Sequence, residues 1–325
     1  MGKDTGWKRF FSDNERYADL INGFGCGGEQ IVQKEDLQEA DVQTGIQKSE
    51  CFAAAQKNRR GGHSAKQRDM VRKTAFGINF AVIGIEHQEE IDYKIPLRQM
   101  SYEAGEYEKQ AAAIRKEVRN DPKGLSSGEY LYGFRKDSKL YPVITFILYT
   151  GEKEWNGPLY LSDIIDFHEI PDSLKEMVND CRIHLLEIRK WDHMEVFQTD
   201  VRQVFEFIHY SKDAKKLREL VAEDPYYKEM DEDAFDVVVT YTKAEELVQV
   251  KDYHKKGGGI DMCEALTTLI EEGRVEGIEL GRLEGENSFA MLTERLLQQN
   301  RTDDLLQAIK DLDYRKILYG EFDIK

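Results

Sequence analysis

Apolar and polar positions along the chain predict a helix, a group of strands, a second helix, two more strands and then helices only. Most apolar side chains of residues 7–24 fall on one helical face, and Ser12 and Asp13 offer an alternative helix start one turn later. A second helix is predicted at about 98–118, and every periodic segment after Met194 is helical. Strands are predicted at residues 36–44, 68–71, 80–88, 91–95, 141–149 and 182–188. This order predicts an α/β core with a helical C-terminal part.

Glycines mark divisions in the C-terminal half of the chain. The sequence DYHKKGGGI at 252–260 predicts a flexible joint. The predicted divisions are a core at 1–215, a helical extension at 216–251, a glycine-rich linker at 252–260 and a helical tail at 261–325. The tail has a glycine at every fourth position, namely Gly273, Gly277, Gly281 and Gly285. Each of them weakens a helix by about 1 kcal/mol relative to alanine. Either a second helix packs closely on this stripe and the tail self-associates, or the tail is a marginal helix that frays.

Composition limits the location and the partners of the protein. The net charge of −16 argues against general attraction to nucleic acid or anionic membranes. No run of about 20 apolar residues occurs and the N-terminus lacks the apolar segment of a signal peptide, so we expect a cytoplasmic protein with no membrane contact. Four cysteines without a CxxC pair indicate reduced thiols rather than a zinc cage or a disulfide framework. The glycines at 23, 25 and 28 follow a predicted helix and therefore indicate a turn, not a dinucleotide site.

One segment reverses the overall charge. Between Lys57 and Lys73 there are seven basic residues and a single acidic one, Asp69. Much of this segment belongs to a polar stretch at 45–67 that predicts a long loop. The basic side chains either contact nucleic-acid phosphates or form a solvated surface that balances the acidic remainder.

The sequence GIEHQEE at 84–90 ends an apolar strand with polar side chains. Residues two apart in a strand share a face, so Glu86 and Gln88 project together, roughly 6.5 to 7 Å apart at the backbone, while His87 points away. If the preceding predicted strand pairs with this one, Asp69 can lie beside Glu86. Two adjacent carboxylates repel unless a cation shares them or one takes a proton. Mg²⁺ prefers one or two carboxylates together with water and phosphate oxygens.

These residues belong to segments that resemble the recombination-promoting nuclease (Rpn) and putative transposase family, a branch of the PD-(D/E)XK nucleases. The similar segments are FFSDNERYADLIN, RDMVRK, GIEHQEEIDYKIPLRQMSYEAGEYEKQ and YPVITFILYTGEKEWNGPLYLSD, and the likeness covers about residues 4–215. The resemblance implies a restriction-endonuclease-like core of a helix, a mixed sheet and further helices, with an α-helical C-terminal extension. It also implies a DNA endonuclease that hydrolyses phosphodiester bonds with Mg²⁺ or Mn²⁺ and is associated with recombination or mobile elements.

The resemblance also implies roles for individual residues. Asp69 and Glu86 would hold the metal, and Gln88 would stand where the motif usually has lysine. A neutral amide cannot stabilise the developing phosphorane charge as a cation does, so the metal would have to do so largely alone. Glu15 on the first helix would add a further acidic group, with Asp13 and Asp19 as competing choices. The basic residues expected to contact DNA phosphates are Arg59, Arg60, Lys66, Arg68, Arg72 and Lys73.

Two other functions compete with hydrolysis. One is a nuclease-like fold that has lost turnover and binds nucleic acid or proteins, with assembly through residues 260–325. The other is strand transfer, for which the sequence offers no separate third carboxylate. Hydrolysis is favoured because both acidic positions, Asp69 and Glu86, are present.

Overall fold

The computed structural model describes residues 3–39, 70–76, 79–256 and 259–324. The helices are α1 (Lys3–Phe10), α2 (Asn14–Leu20), α3 (Ile95–Asn120), α4 (Ser127–Tyr132), α5 (Asp172–Lys175), α6 (Val201–Tyr210), α7 (Ala214–Glu223), α8 (Glu232–Thr242), α9 (Glu245–Val250), α10 (Met262–Gln298), α11 (Thr302–Lys310) and α12 (Leu312–Glu321). The strands are β1 (Leu37–Glu39), β2 (Met70–Phe76), β3 (Asn79–Gln88), β4 (Val143–Tyr149), β5 (His184–Glu187), β6 (Lys255–Lys256) and β7 (Gly259–Ile260). The predicted loop at 45–67 and the end of the strand predicted at 36–44 lie outside the described residues.

Five strands form one mixed sheet in the order β1-β2-β3-β4-β5. The pairs β1/β2 and β2/β3 are antiparallel, whereas β3/β4 and β4/β5 are parallel. The antiparallel register sets Met70 opposite Ile85, and the parallel register sets Glu86 beside Ile147. The predicted α/β core is therefore confirmed, and β3 lies at the centre of the sheet.

The N-terminal helix is interrupted. One helix was predicted over 7–24, but α1 ends at Phe10 and α2 begins at Asn14. Asp13 caps α2, because its Oδ1 accepts a hydrogen bond of 2.7 Å from the Glu15 amide. This confirms the alternative start one turn later. A π-helical turn at Ile21–Gly25 follows α2, and the chain then turns through Gly27 and Gly28, which have positive φ of 64° and 95°.

The strand predicted at 91–95 is wrong. The chain turns at residues 89–94, and α3 begins at Ile95 with Pro96 in its first turn. Proline has no backbone N–H, and the first turn of a helix does not need one. The Asp92 carboxylate accepts a 2.9 Å hydrogen bond from the Lys94 amide and so stabilises the turn before the helix. The apolar alternation at 91–95 thus belongs to a turn and a helix start.

The two faces of the sheet carry separate cores. On one face Ile85, Leu148 and Leu186 pack with apolar residues of α1, α2, α6 and α8. On the other face Ile147 packs with Ile95 at the start of α3. Alternation along β3 therefore directs Ile85 to the first face and Glu86 to the face that α3 covers.

The glycine-rich segment at 252–260 does not end the main core. Ile260 forms two backbone hydrogen bonds with Met230, of 2.9 and 2.8 Å, and both residues are fully buried. The same core extends to Met262 and Ala265 in α10. Residues 270–287 of α10 are then exposed all round, and a small second core with Leu292 follows in α10 to α12. The division into domains stays a prediction. No helix among the residues described above has the length and apolar character needed to cross a membrane.

Candidate functional site

Glu86 and Gln88 lie at the C-terminal end of β3, on the face that α3 covers. Gln88 Nε2 donates a 3.1 Å hydrogen bond to Glu86 Oε1. His87 points to the other face, where its Nε2 lies 2.7 Å from Thr150 Oγ1 and its ring packs edge-on against Tyr241. The predicted sharing of one face by Glu86 and Gln88 is confirmed.

Arg98, from the start of α3, reaches the same carboxylate. Its Nη2 donates to Glu86 Oε1 and, at 3.1 Å, contacts the Tyr102 hydroxyl, while Nη1 donates to Asp92 Oδ2 at 2.8 Å. The Glu86 side chain is 4% exposed and the Arg98 side chain 30%. The site is therefore an ion pair between the buried Glu86 carboxylate and the Arg98 guanidinium, which is partly accessible to solvent.

The protonation equilibria follow from these contacts. Burial opposes the charge on Arg98, but the hydrogen bond to Asp92 and the attraction of Glu86 outweigh it and raise its pKa. Partial burial likewise opposes ionisation of Asp92, yet the hydrogen bonds from Arg98 and from the Lys94 amide lower its pKa. Both groups are charged at neutral pH, so the site contains a cation between two carboxylates.

Sequence reasoning missed Arg98, Asp92 and Tyr102. A partial signal existed, because Arg98 and Tyr102 are four residues apart and therefore adjacent on one helical face. The interpretation of 91–95 as a strand concealed it, since that interpretation separated Arg98 from the end of β3.

The metal-binding residues are only partly within the described chain. Asp69 lies outside it, directly before Met70. Among the described residues no group of three or more His, Cys, Asp or Glu side chains is arranged to hold a metal ion. Glu86 and Gln88 do supply a carboxylate and an amide, which are oxygen donors of the kind Mg²⁺ takes alongside water and phosphate. The described residues thus fit part of such a site, and Arg98 competes for Glu86.

The acidic residues of the N-terminal helices have partners elsewhere. Glu15 is exposed and forms a 2.9 Å ion pair with Lys34. Asp13 caps α2. Asp19 is buried and accepts hydrogen bonds from the amide of Gln198 at 2.8 Å and from the amide of Thr199, also at 2.8 Å, just before α6. These contacts assign structural roles to Asp13 and Asp19, and no described contact links Glu15 to Glu86.

Two of the residues predicted to bind DNA lie within the described chain. Arg72 is 6% exposed, donates a 3.3 Å hydrogen bond to Asn14 Oδ1 and lies over the Tyr17 ring. This packing gives Arg72 a structural role, and a phosphate contact would require it to leave these partners. Lys73 is half-buried with its Nζ 5.0 Å from the centroid of the Tyr141 ring. Arg59, Arg60, Lys66 and Arg68 lie outside the described residues.

Part of the chain is similar to a known protein family. Residues 73–231 match the putative transposase family described as YhgA-like. The match confirms the resemblance to putative transposases. It covers just under half of the chain and includes Glu86, Gln88 and Arg98, whereas Asp69 precedes it. No curated protein and no solved structure matches the chain. The match shows a likeness to putative transposases over these residues, and the chemistry has to be argued from the residues of the site.

Proposed function

We propose that this protein is a metal-dependent DNA endonuclease of the PD-(D/E)XK type, associated with recombination or mobile elements. The observation that carries the proposal is the buried Glu86 carboxylate, with Gln88 beside it, at the end of the central strand of a mixed sheet. A carboxylate is costly to bury, so its position at a strand end calls for a cation. The match to putative transposases supports DNA as the substrate.

In this proposal Asp69 and Glu86 together hold Mg²⁺ or Mn²⁺. Met70 pairs with Ile85, and in the chain Asp69 precedes Met70 while Glu86 follows Ile85. This adjacency in the chain supports the proposal that the two carboxylates serve one metal ion. When bound, the metal lowers the pKa of the attacking water and polarises the phosphate.

Arg98 supplies the positive charge that Gln88 lacks. Its guanidinium already contacts Glu86 and remains partly exposed, which supports a role for Arg98 in place of the motif's lysine. Arginine is always charged and can bind two phosphate oxygens at once. We propose that Arg98 neutralises Glu86 before substrate binds and contacts the reacting phosphate afterwards. Gln88 then orients Glu86 through its amide.

Nicking of supercoiled plasmid by the full-length protein tests this proposal. With Mg²⁺ the wild type is expected to nick, whereas Asp69→Asn and Glu86→Gln are expected to lower the rate about a hundredfold or more, since metal catalysis supplies several kcal/mol. Glu219→Gln is the matched control, because Glu219 is exposed and paired with Lys215 on α7. Each variant is checked by thermal unfolding, and EDTA should abolish the wild-type activity. Nicking that survives both substitutions would refute the assignment of these carboxylates.

A second function has an observation of its own in its favour. The Glu86 carboxylate is in an ion pair with Arg98, and a structural pair of this kind needs no metal. A nuclease-like protein that has lost turnover would use this pair to stabilise its fold and would bind nucleic acid or proteins. Absence of nicking with Mg²⁺ and with Mn²⁺, together with retained DNA binding, would favour this alternative.

A further inference from the structure

The C-terminal end of α3, the helix α4 and the loop after it carry a local positive charge. Residues 115–139 contain seven basic and four acidic residues, a net charge of +3 in a chain of −16. The exposed cations are Arg115, Lys116, Arg119, Lys123, Lys136 and Lys139. Throughout the described ranges, none of these six has an ion-pair partner. A surface of this kind attracts a polyanion even though the protein as a whole is acidic.

Local packing makes these residues one surface. Gly133 ends α4 with a left-handed φ of 63°, and a Cβ at this position would lie 2.5 Å from Arg115 Cγ, so the end of α4 lies against α3. Arg135 donates a 2.7 Å hydrogen bond to the Asp121 carbonyl and so joins the loop after α3 to the loop after α4. We name residues 115–139 the basic surface.

Three large apolar side chains of α4, within the basic surface, are exposed to solvent. Tyr130, Leu131 and Tyr132 are 71%, 72% and 70% exposed. Burial of a tyrosine ring against another group is favourable, because it removes apolar surface from water. In the folded chain two tyrosine rings stay exposed to water beside exposed cations, which is typical of a binding surface. Cations that follow a phosphate backbone, combined with aromatic rings on which bases stack, are typical of sites for single-stranded nucleic acid.

We propose that the basic surface binds an unpaired DNA strand, with its cations on phosphates and with Tyr130 and Tyr132 stacked on bases. The inference rests on the proposed function, because an endonuclease must hold the strand beyond the reacting phosphate. In this proposal the basic surface, which lies at the other end of α3 from Arg98, is the site that holds the DNA strand.

Fluorescence anisotropy of labelled oligothymidylate tests the proposal on the full-length protein in EDTA, where no cleavage interferes. The charge variant combines Lys116→Gln, Arg119→Gln and Lys123→Gln. The matched control combines Lys215→Gln, Lys216→Gln and Arg218→Gln on α7, which are exposed and remove the same charge. At about 0.1 M salt the charge variant should bind about a hundredfold more weakly, and the slope of log K against log salt should fall by about 2. The control should bind like the wild type.

The aromatic part of the site is tested separately. The double variant Tyr130→Ala and Tyr132→Ala should weaken binding of the single strand at least about tenfold, while binding of a duplex of equal length changes little. Replacing Lys116 and Lys123 by arginine should retain affinity. Equal losses in the charge variant and its α7 control, or tyrosine variants that bind the single strand like the wild type, would overturn the proposal. Because binding is measured without metal, intact binding with no plasmid nicking would count against the proposed hydrolysis and not against this site.

Discussion

The ion pair between Glu86 and Arg98 makes a strong prediction about stability. Replacing Arg98 by methionine keeps much of the side-chain volume but removes the cation from a carboxylate whose side chain is only 4% exposed. Removal of one partner from a buried pair costs about 3 to 5 kcal/mol, because the other charge remains buried. Arg98 is 30% exposed, so water can partly replace it. We therefore expect the lower end, about 3 kcal/mol, which is more than a hundredfold in the folding equilibrium.

Urea unfolding at pH 7, followed by tryptophan fluorescence, measures this cost. Arg119→Met is the matched control, because Arg119 is exposed on the same helix and its replacement should change the free energy of unfolding by less than about 0.5 kcal/mol. A double-mutant cycle of Arg98→Met with Glu86→Gln isolates the pair, and the double variant should lose less than the two single variants together. Mg²⁺ should stabilise Arg98→Met more than the wild type if Glu86 is a metal ligand, because the metal replaces the missing cation.

The cost should also depend on pH. The pKa of Asp92 is lowered in the folded protein, so its contribution is present above the unfolded value near 4 and is lost as the pH falls through the lower folded value. The difference between wild type and Arg98→Met should accordingly shrink in acid. A loss below about 1 kcal/mol at pH 7, or a loss equal to that of Arg119→Met, would refute the argument that Glu86 depends on Arg98.

Three further predictions concern other parts of the molecule. Arg189 donates hydrogen bonds to backbone carbonyls at the ends of β4, α6 and α8. Arg189→Met should therefore lower the free energy of unfolding, measured by urea denaturation, by about 3 to 4 kcal/mol, and Arg189→Lys should lower it by less. Hydrogen bonds from the Lys136 and Ser126 amides hold the pKa of Glu129 at about 2, so an NMR titration should show this carboxylate ionised well below pH 4. The stabilisation that ionised Glu129 gives to α4 should be complete above about pH 4.5 and should be lost as the pH falls towards 2. A Cβ at Gly277 or Gly281 meets open space, so replacing both by alanine should raise the melting temperature if α10 is a marginal helix that frays. If sedimentation instead shows that the double variant self-associates less than the wild type, the glycines face a second copy of the chain.

Much of the fold could be predicted from the period of its apolar residues. The run that ends in Ile85 indicated a central strand, and a period of two placed Glu86 and Gln88 on one face. The strand predicted at residues 91–95 was wrong because three apolar residues at alternate positions occur in a short turn as well as in a strand. Pro96 did not distinguish a strand end from a helix start, because proline is common at both.

The partner of Glu86 could not be predicted, for a physical reason. Which side chain of α3 meets the end of β3 depends on how the helix is rotated against the sheet, and this rotation is set by the packing of Ile95 with Ile147. The glycines at 252–260 show the same limit. They indicate backbone freedom, yet they do not show that Ile260, at the end of this segment, is buried and hydrogen-bonded to Met230.

Helix α3 connects the two places where we propose that DNA is held. Arg98 lies near its first turn at the candidate site, and Arg119 lies near its last turn in the basic surface, about 32 Å away along the helix axis. The helix is fixed midway, because the Tyr107 hydroxyl accepts a 3.2 Å hydrogen bond from the Val143 amide and Gln110 exchanges two hydrogen bonds with the Tyr141 backbone. A rigid spacing of this kind corresponds to roughly nine phosphates along one strand with B-form stacking, at about 3.4 Å each. In these proposals the end of β3 and the basic surface would act on one DNA molecule at a distance that the protein itself determines.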